Sequence, residues 1–415
     1  RILAMRVLAE IRQIENAPQI YHRTPSSLKA VFASILIFLM GVLQPVQAQN
    51  SISLSPEFTL NYESGKLDLN GGIIDVVNAE LISGGEVLFT ADTLMAEVDE
   101  SNPENPILKM LDISGLSVEE DAIAISIAEI SAINMPLNYN YQLSEQPEPE
   151  EILAYFKHQS DIKYRVAEIV IVSKEEGISI TIDEIVIDVE TTNRQAVDAA
   201  GSKTSYAVSN IVMSPYGNSN DASEYQDGLA QVGIDSLALN LNGVIESLYK
   251  DRRLAIRLYQ AFDLPQLFDI SWNLDMSFGH KLFELNAYLA SNTDIYDFDN
   301  FDLSDDEVKG LLLANAGEIL LHRFTVNLED KGILAKAKNP EIVAPSVESG
   351  LDGMPEPIAN LLRQPVTEFI HNGGLLAVDA NPPEPANLLQ LSTIMLAPEV
   401  AIQILGLSVY HQLKS

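Results

Sequence analysis

The chain has 415 residues, enough for two or three domains or for one elongated unit, and 47% of them are hydrophobic, which excludes wholesale disorder. It is strongly acidic, with 59 Asp and Glu against 25 Lys and Arg and a formal net charge of −34; a surface this negative repels phosphate backbones and anionic headgroups and argues against nucleic acid binding. It contains no cysteine, which excludes disulfides, thiolate catalysis and cysteine-based metal sites.

The amino-terminal part of the sequence is typical of an export signal. Residues 30–43, AVFASILIFLMGVL, form an unbroken apolar run that is followed by Pro45 and by Val46-Gln47-Ala48, the small-x-small pattern of a signal peptidase site. The run is shorter than the roughly twenty residues that cross a bilayer as a helix. We therefore predict cleavage after Ala48, no membrane span in the mature protein, and a periplasmic or secreted location. The alternative is an inner-membrane anchor through residues 30–43, with the rest of the chain facing the periplasm.

A strand-forming phrase recurs in the first half of the chain. It is found at 87–99 (VLFTADTLMAEVD), 123–134 (IAISIAEISAIN) and 178–190 (ISITIDEIVIDVE). Each copy follows an acidic turn and alternates apolar with polar residues, which is the mark of a strand with one buried face. The spacing of the copies is too irregular for a solenoid. We therefore predict a long, curved antiparallel sheet built from repeated β-hairpins.

The alternation slips by one residue at the same place in every copy. The slip falls at Asp92 in the first copy, between Ala128 and Glu129 in the second, and at Asp183-Glu184 in the third. We interpret it as a bulge or a bend between consecutive strands. The alternative is that the acidic residues at these positions bind a cation.

The sequence changes character between and after the hairpins. Residues 139–152 predict a linker into a short helix over 150–158, and residues 213–228, MSPYGNSNDASEYQDG, predict a long exposed loop. Further segments are predicted from their periodicity. These are helices over 242–262, 304–317 and 355–374, the last interrupted by Pro365, and strands over 269–278, 281–289 and 318–328.

These elements predict a β-dominated α+β fold in three parts. Residues 1–48 are the signal peptide and upstream residues. Residues 49–230 are a β-hairpin-repeat region with the long curved sheet. Residues 231–415 are an α+β region in which helices pack on strands.

No motif in the sequence supports catalysis. The six histidines are far apart and form neither H-x-x-x-H nor H-E-x-x-H, so a zinc site is not predicted. Ser247 and Lys250 match the Ser-x-x-Lys motif of penicillin-recognising enzymes, but they lie inside the predicted helix over 242–262 and no Lys-Thr-Gly follows. We therefore predict that the protein is not an enzyme.

Acidic residues are densest at 294–307, DIYDFDNFDLSDDE. A calcium loop of the EF-hand type counted from Asp297 needs glycine at its sixth position and glutamate at its twelfth, where Asp302 and Val308 stand. We predict a solvated acidic loop and no cofactor. A looser calcium site with oxygen ligands is the alternative, and its candidate ligands are Asp297, Asp299, Asp302 and Asp305.

Basic residues form one cluster in the sequence. Arg252, Arg253 and Arg257 lie within the helix predicted over 242–262. We interpret them as the polar face of that helix rather than as an anion site.

The hairpins behind an amino-terminal export segment resemble the AsmA-like and DUF945-like groups of bacterial envelope proteins. The resemblance to these groups extends to three later segments, 237–248 (LALNLNGVIESL), 321–334 (LHRFTVNLEDKGIL) and 369–385 (FIHNGGLLAVDANPPEP). The resemblance implies an envelope protein with a curved sheet whose concave face holds acyl chains. It carries over no catalytic residues.

The sequence therefore favours an exported, non-enzymatic protein of the bacterial cell envelope that binds a lipid or another apolar ligand on the concave face of its sheet. The expected partners are this ligand and other envelope proteins, and no nucleic acid. The alternative is an envelope scaffold or adhesion-type protein that binds protein partners or calcium through acidic loops. An apolar face that stays open to solvent favours ligand or partner binding, whereas helices that cover it completely argue against the lipid.

Overall fold

The fold is known from a computed structural model of the chain. It describes residues 51–53, 58–68, 71–99, 101, 106–120, 122–136, 148–157, 160–193, 195–217, 219–231, 233–281, 316–336, 350–387, 390 and 397–413. Within these residues the chain forms seventeen strands and five α-helices. The predicted fold class, a β-dominated α+β protein with antiparallel hairpins early and helices later, is confirmed. No helix in these ranges is both long enough and apolar enough to span a bilayer.

The chain divides into two compact units. The first is formed by Arg1–Asn140 and Ile162–Glu184, and the second by Tyr141–Asp161 and Ile185–Ser415. The strands of the first unit are β1 (Ser51–Ser53), β2 (Phe58–Asn61), β3 (Ser64–Asp68), β4 (Ile73–Ser83), β5 (Glu86–Asp99), β6 (Ile107–Glu119), β7 (Ile123–Pro136), β8 (Ile162–Ser173) and the first part of β9 (Ile178–Thr192).

The first unit is a series of antiparallel hairpins. Strands β4 to β8 pair with their neighbours in chain order, and both β2 and β3 pair with β4. The three copies of the phrase found in the sequence are β5, β7 and β9. The hairpin repeat is therefore confirmed, and each copy is the second strand of a hairpin.

The slip in alternation is a coordinated feature of neighbouring strands. In β4 the buried residues are Ile74 and Val76 on one side of Asn78, and Ala79 and Leu81 on the other. Asn78 has a φ of 51°, in the left-handed region. A single left-handed residue turns the strand over by one position, so the alternation resumes one residue later.

At the slip, the left-handed residues lie on the strands next to the three copies. Asn78 in β4, Gly115 in β6 and Glu168 in β8 have φ values of 51°, 61° and 52°. The register places Asn78 and Gly115 opposite Asp92 in β5. Strands β5, β7 and β9 each run through the slip as one strand. The predicted bend between consecutive strands is therefore replaced by a left-handed residue on the partner strand.

Where the structure describes it, the second unit contains the rest of β9 and eight more strands. These are β10 (Ala199–Pro215), β11 (Leu237–Lys250), β12 (Arg253–Leu264), β13 (Phe268–Gly279), β14 (Ile319–Asp330), β15 (Leu375–Ala380), β16 (Ala386–Asn387) and β17 (Leu407–Gln412). Strands β10 to β15 pair antiparallel in chain order, β17 pairs with β15, and β16 pairs with β14.

Five helices of the described residues belong to the second unit. They are α1 (Pro149–Lys157), α2 (Asn220–Gln231), α3 (Ile333–Lys336), α4 (Glu356–Asn372) and α5 (Pro398–Leu405), and a 3-10 turn over Ala316–Glu318 precedes β14. The predicted helices at 150–158 and 355–374 are confirmed as α1 and α4. Helix α4 continues through Pro365, so the predicted interruption is wrong. The predicted boundary after residue 230 stays a prediction; that residue lies inside α2.

Two predicted elements are wrong. The helix predicted over 242–262 is instead the hairpin β11–β12. The prediction failed because Leu254, Leu258 and Phe262, which are four residues apart, fit both a helical period and the period of two of a strand. The loop over 213–228 is instead occupied in its second half by α2. The predicted strand over 281–289 and helix over 304–317 lie almost entirely outside the described residues.

The left-handed positions give a prediction whose sign is unusual. Glycine inside a strand normally lowers stability by about 0.5–1 kcal/mol, but Glu168 is exposed and has a φ of 52°. We expect Glu168→Gly to raise the free energy of unfolding by about 1 kcal/mol, because glycine adopts this conformation without steric cost. Urea unfolding followed by circular dichroism measures the change.

The matched control is Glu80→Gly on β4. Glu80 is also an exposed strand glutamate, but it is not among the residues with positive φ. We expect this variant to lose about 0.5–1 kcal/mol. Equal losses in the two variants would contradict the left-handed account of the slip.

Candidate functional site

The register of β10–β14 sorts the side chains onto two chemically different faces. Successive residues of a strand point to opposite sides of a sheet, and directly paired residues share a side. One side is almost wholly apolar, and we call it the apolar face. On β11–β14 it carries Leu241, Ile245, Ile256, Leu258, Phe262, Ile270, Trp272, Leu274, Met276, Phe324, Val326 and Leu328.

The centre of the apolar face is in contact with solvent. Ile245 is 38% exposed, and Leu258 and Trp272 are only half-buried. In the first unit, by contrast, Val76 and Leu94 on the buried side of β4 and β5 are both 0% exposed. Burial of such apolar surface is worth roughly 25 cal/mol per Å². The centre of this face therefore keeps a driving force for binding that the first unit has already used in folding.

Helix α1 closes one end of the apolar face. Its Ile152 and Phe156 form a buried cluster with Ala200 and Tyr249 at the adjoining ends of β10 and β11. The rings of Phe156 and Tyr249 stack with centroids 6.5 Å apart. The Tyr249 hydroxyl shares a hydrogen bond of 3.0 Å with Nδ1 of His280. Burial raises the pKa of Tyr249, and the nearby Arg252 cation acts in the opposite direction.

Two more helices border the apolar face. At the opposite ends of the same strands, Leu229 of α2 packs in a buried cluster with Leu267, against Leu264 of β12. Beyond β13, Leu405 of α5 packs in a cluster with Leu321 and Ala380. The half-exposed centre therefore lies between α1, α2 and α5.

Aromatic rings form the floor of this centre. The rings of Phe262 and Trp272 are 5.3 Å apart. The ring of Tyr206 lies over its cross-strand partner Gly243, and a side chain at Gly243 would overlap that ring. The polar residues on β10–β13 of this face, such as Gln260 and Ser247, are uncharged. The arrangement suits a long apolar ligand better than an ionised one.

The opposite face of the same strands carries a ladder of alternating charge. Arg257 Nε lies 3.3 Å from Asp275 Oδ2, and Arg323 Nε lies 3.2 Å from Asp379 Oδ1. Direct pairing extends the series across β10–β15 as Lys203, Glu246, Arg257, Asp275, Arg323 and Asp379. We call this the charge ladder. It identifies the side of the second-unit sheet that is built to face water.

The predicted calcium ligands are not tested by the fold. Asp297, Asp299, Asp302 and Asp305 all lie outside the described residues. Within the described ranges no cluster of three or more His, Asp or Glu residues is arranged to hold a metal ion.

Ser247 and Lys250, which match the Ser-x-x-Lys motif, do not lie in one site in the fold. Ser247 Oγ lies 2.9 Å from Ser202 Oγ on the apolar face. Three residues along a strand lead to its other side, so Lys250 stands on the opposite face. The two side chains therefore do not converge as a nucleophile and its base.

The histidines that the structure describes have separate partners. Besides the bond between His280 and Tyr249, Nε2 of His322 lies 2.8 Å from Ser277 Oγ. His371 and His411 each contact a backbone carbonyl oxygen, at 2.8 Å and 2.7 Å. The four rings are thus used singly, in local contacts.

Sequence reasoning missed the central part of the apolar face. The signal was the period-two series Leu254, Ile256, Leu258, which was hidden by the apparent helical spacing of the same segment. Once β11 and β12 are recognised as strands, the alternation assigns their faces directly.

The comparisons add little about function. A protein-family model described as "Uncharacterized protein" matches residues 341–412. This segment includes α4, α5 and strands β15–β17, so the similarity covers the elements beside the apolar face rather than its centre. No curated protein matches the chain.

The charge ladder predicts a salt-sensitive loss of stability in Arg257→Glu. The substitution places three acidic residues in a row, and like charges directly opposite each other are destabilising. Because Arg257 is 71% exposed, we expect a loss of only about 1 kcal/mol in the free energy of unfolding. Urea unfolding at low and high salt measures it.

Arg257→Gln is the matched control, since it removes the charge without reversing it. We expect it to lose less than half as much, and 1 M NaCl to bring the two variants together. A loss in Arg257→Glu that salt leaves unchanged would show that packing, not charge, is responsible.

Proposed function

We propose that this chain is an exported, non-enzymatic protein of the bacterial cell envelope that binds a lipid, or another ligand with a long apolar part, on the apolar face of its second unit. One observation carries the proposal, namely the half-exposed apolar centre between α1, α2 and α5. The likeness of the hairpins to AsmA-like and DUF945-like envelope proteins agrees with it. The export-like segment at residues 30–43 supports the compartment.

The chemistry of the face favours hydrocarbon. Each methylene group of an acyl chain gains about 0.8 kcal/mol when it leaves water. The rings of Phe262 and Trp272 offer a flat apolar surface at the centre of the face. The charge ladder makes the other side unsuitable for hydrocarbon, so binding is confined to one face.

Trp272 provides a direct test, because it is the one tryptophan of the chain and lies on the apolar face. We expect a brominated long-chain fatty acid to quench its fluorescence saturably, since bromine quenches only at short range. Ile245→Lys on the same face should weaken this binding at least tenfold, because it places an ammonium group where the acyl chain of the fatty acid would lie.

Leu248→Lys is the matched control. Leu248 is on the same strand and is 36% exposed, against 38% for Ile245, but it points to the opposite face. We expect its binding to equal that of the wild type. Equal weakening in both variants, or no quenching of the wild type, would contradict the proposal; capture of a protein instead of lipid would favour the scaffold alternative.

The proposed compartment has its own test. If the segment over 30–43 is a cleaved signal, the protein recovered from the periplasm begins at Gln49. Intact mass spectrometry of that protein gives the first residue, including when the amino-terminal glutamine has cyclised. A chain that stays in the inner-membrane fraction with residues 30–43 attached would instead establish the anchored alternative.

A further inference from the structure

The turn between β11 and β12 carries the opposite charge from the hairpin turns of the first unit. Residues 250–253 are Lys-Asp-Arg-Arg, whereas the turns of the first unit are Ser-Gly-Gly-Glu at 83–86 and Lys-Glu-Glu-Gly at 174–177. We call residues 250–253 the basic turn. Its first three residues are exposed. In a chain with 59 acidic and 25 basic residues, this is a local reversal of sign.

Two cations of the basic turn are not neutralised by ion pairs within the part of the chain that the structure describes. There, neither Lys250 nor Arg252 is in an ion pair. Arg253 donates from Nη2 to the carbonyl oxygen of Glu318 at 3.2 Å, and the Glu318 carboxylate lies beside Gly279, the cross-strand partner of Arg253, so the cations free to meet a partner are Lys250 and Arg252. Lys174, in the turn between β8 and β9, is by contrast 3.5 Å from Glu119.

The backbone of the basic turn is unfavourable for one of its residues, Arg252. Asp251 and Arg252 have φ values of 52° and 60°, as in the two-residue hairpin turns that favour Asn-Gly. A residue with a β-carbon costs about 1–2 kcal/mol in this conformation. The chain thus holds an arginine at position 252, where glycine would be more stable, and strain of this kind is typical of functional sites.

The basic turn adjoins one end of the apolar face. Tyr249 precedes it and Leu254 follows it, and these two residues are cross-strand partners on the apolar face. A lipid phosphate at the turn would therefore have its acyl chains beside the α1 end of that face. Within the turn Asp251 is acidic, and Glu150 of α1 also acts on Tyr249.

We propose that the basic turn docks the protein onto the surface of an anionic phospholipid bilayer, with Lys250 and Arg252 contacting lipid phosphates. The Debye length at physiological salt is about 8 Å, so the distant acidic residues of the chain are screened and the local sign decides the contact. Docking presents the α1 end of the apolar face to the bilayer. The role of the apolar face in this contact rests on the proposed function, whereas the docking of the basic turn does not.

The test uses vesicle sedimentation with the full chain and the double variant Lys250→Gln/Arg252→Asn. One set of vesicles is phosphatidylcholine alone. The other is phosphatidylcholine with about 30 mol% phosphatidylglycerol, which gives roughly the surface charge of a bacterial membrane. Asparagine tolerates the left-handed conformation at 252, so the variant keeps the turn. We expect the wild type to bind only the anionic vesicles, and the variant to bind them about 25-fold more weakly, at about fivefold per charge.

Lys174→Gln is the matched control, and it should bind like the wild type. Equal binding of the wild type to both kinds of vesicle, no binding to either, or undiminished binding by the double variant would overturn the inference. Trp272 quenching by monomeric brominated fatty acid tests the proposed function separately. Quenching retained in the double variant supports a turn that only docks; absent quenching in the wild type overturns lipid binding but not docking.

Discussion

Alternation of side chains across β10–β14 is the constraint on which the second unit depends. A shift of one residue in the pairing of a strand would exchange its apolar and its polar sides. The charge ladder opposes such a shift, because a shift of β12 would move Arg257 away from Asp275 and from Glu246. The ladder therefore holds the apolar side chains together on one face, although each exposed pair is individually weak.

Both units are built from antiparallel hairpins, but they differ in how far their apolar side chains are buried. In the first unit, left-handed residues such as Asn78 and Gly115 shift the alternation of adjacent strands in step, and the apolar residues on the buried side, such as Val76 and Leu94, are 0% exposed. In the second unit, helices bury the ends and one border of the apolar face, and Ile245 at its centre remains 38% exposed. The buried side of the first unit is thus a completed core, whereas the centre of the apolar face in the second unit stays half-exposed.

The sequence allowed the hairpins of the first unit to be predicted, because period-two alternation in β5, β7 and β9 is long and clear. It also allowed α1 and α4 to be placed. The conformation at the slip was not predictable, since the left-handed residues lie on partner strands and Glu168 has no intrinsic preference for that conformation.

The candidate site was harder to predict for a related reason. In the segment 242–262, apolar residues satisfy both a helical and a strand period, and only pairing with β10 and β13 decides between them. That single error turned Arg252 and Arg253 into the polar face of a helix instead of an exposed turn. The candidate site was concealed with them, because the apolar face exists only when β11 and β12 are strands.

Native mass spectrometry with lipid extraction, on protein purified from its own compartment, tests the central claim most directly. The account predicts a co-purified phospholipid or fatty acid that is absent from the Ile245→Lys variant and present in the Leu248→Lys variant. Protein that carries no lipid under these conditions, or lipid that is retained equally by both variants, would contradict the claim that the apolar face is a lipid-binding site.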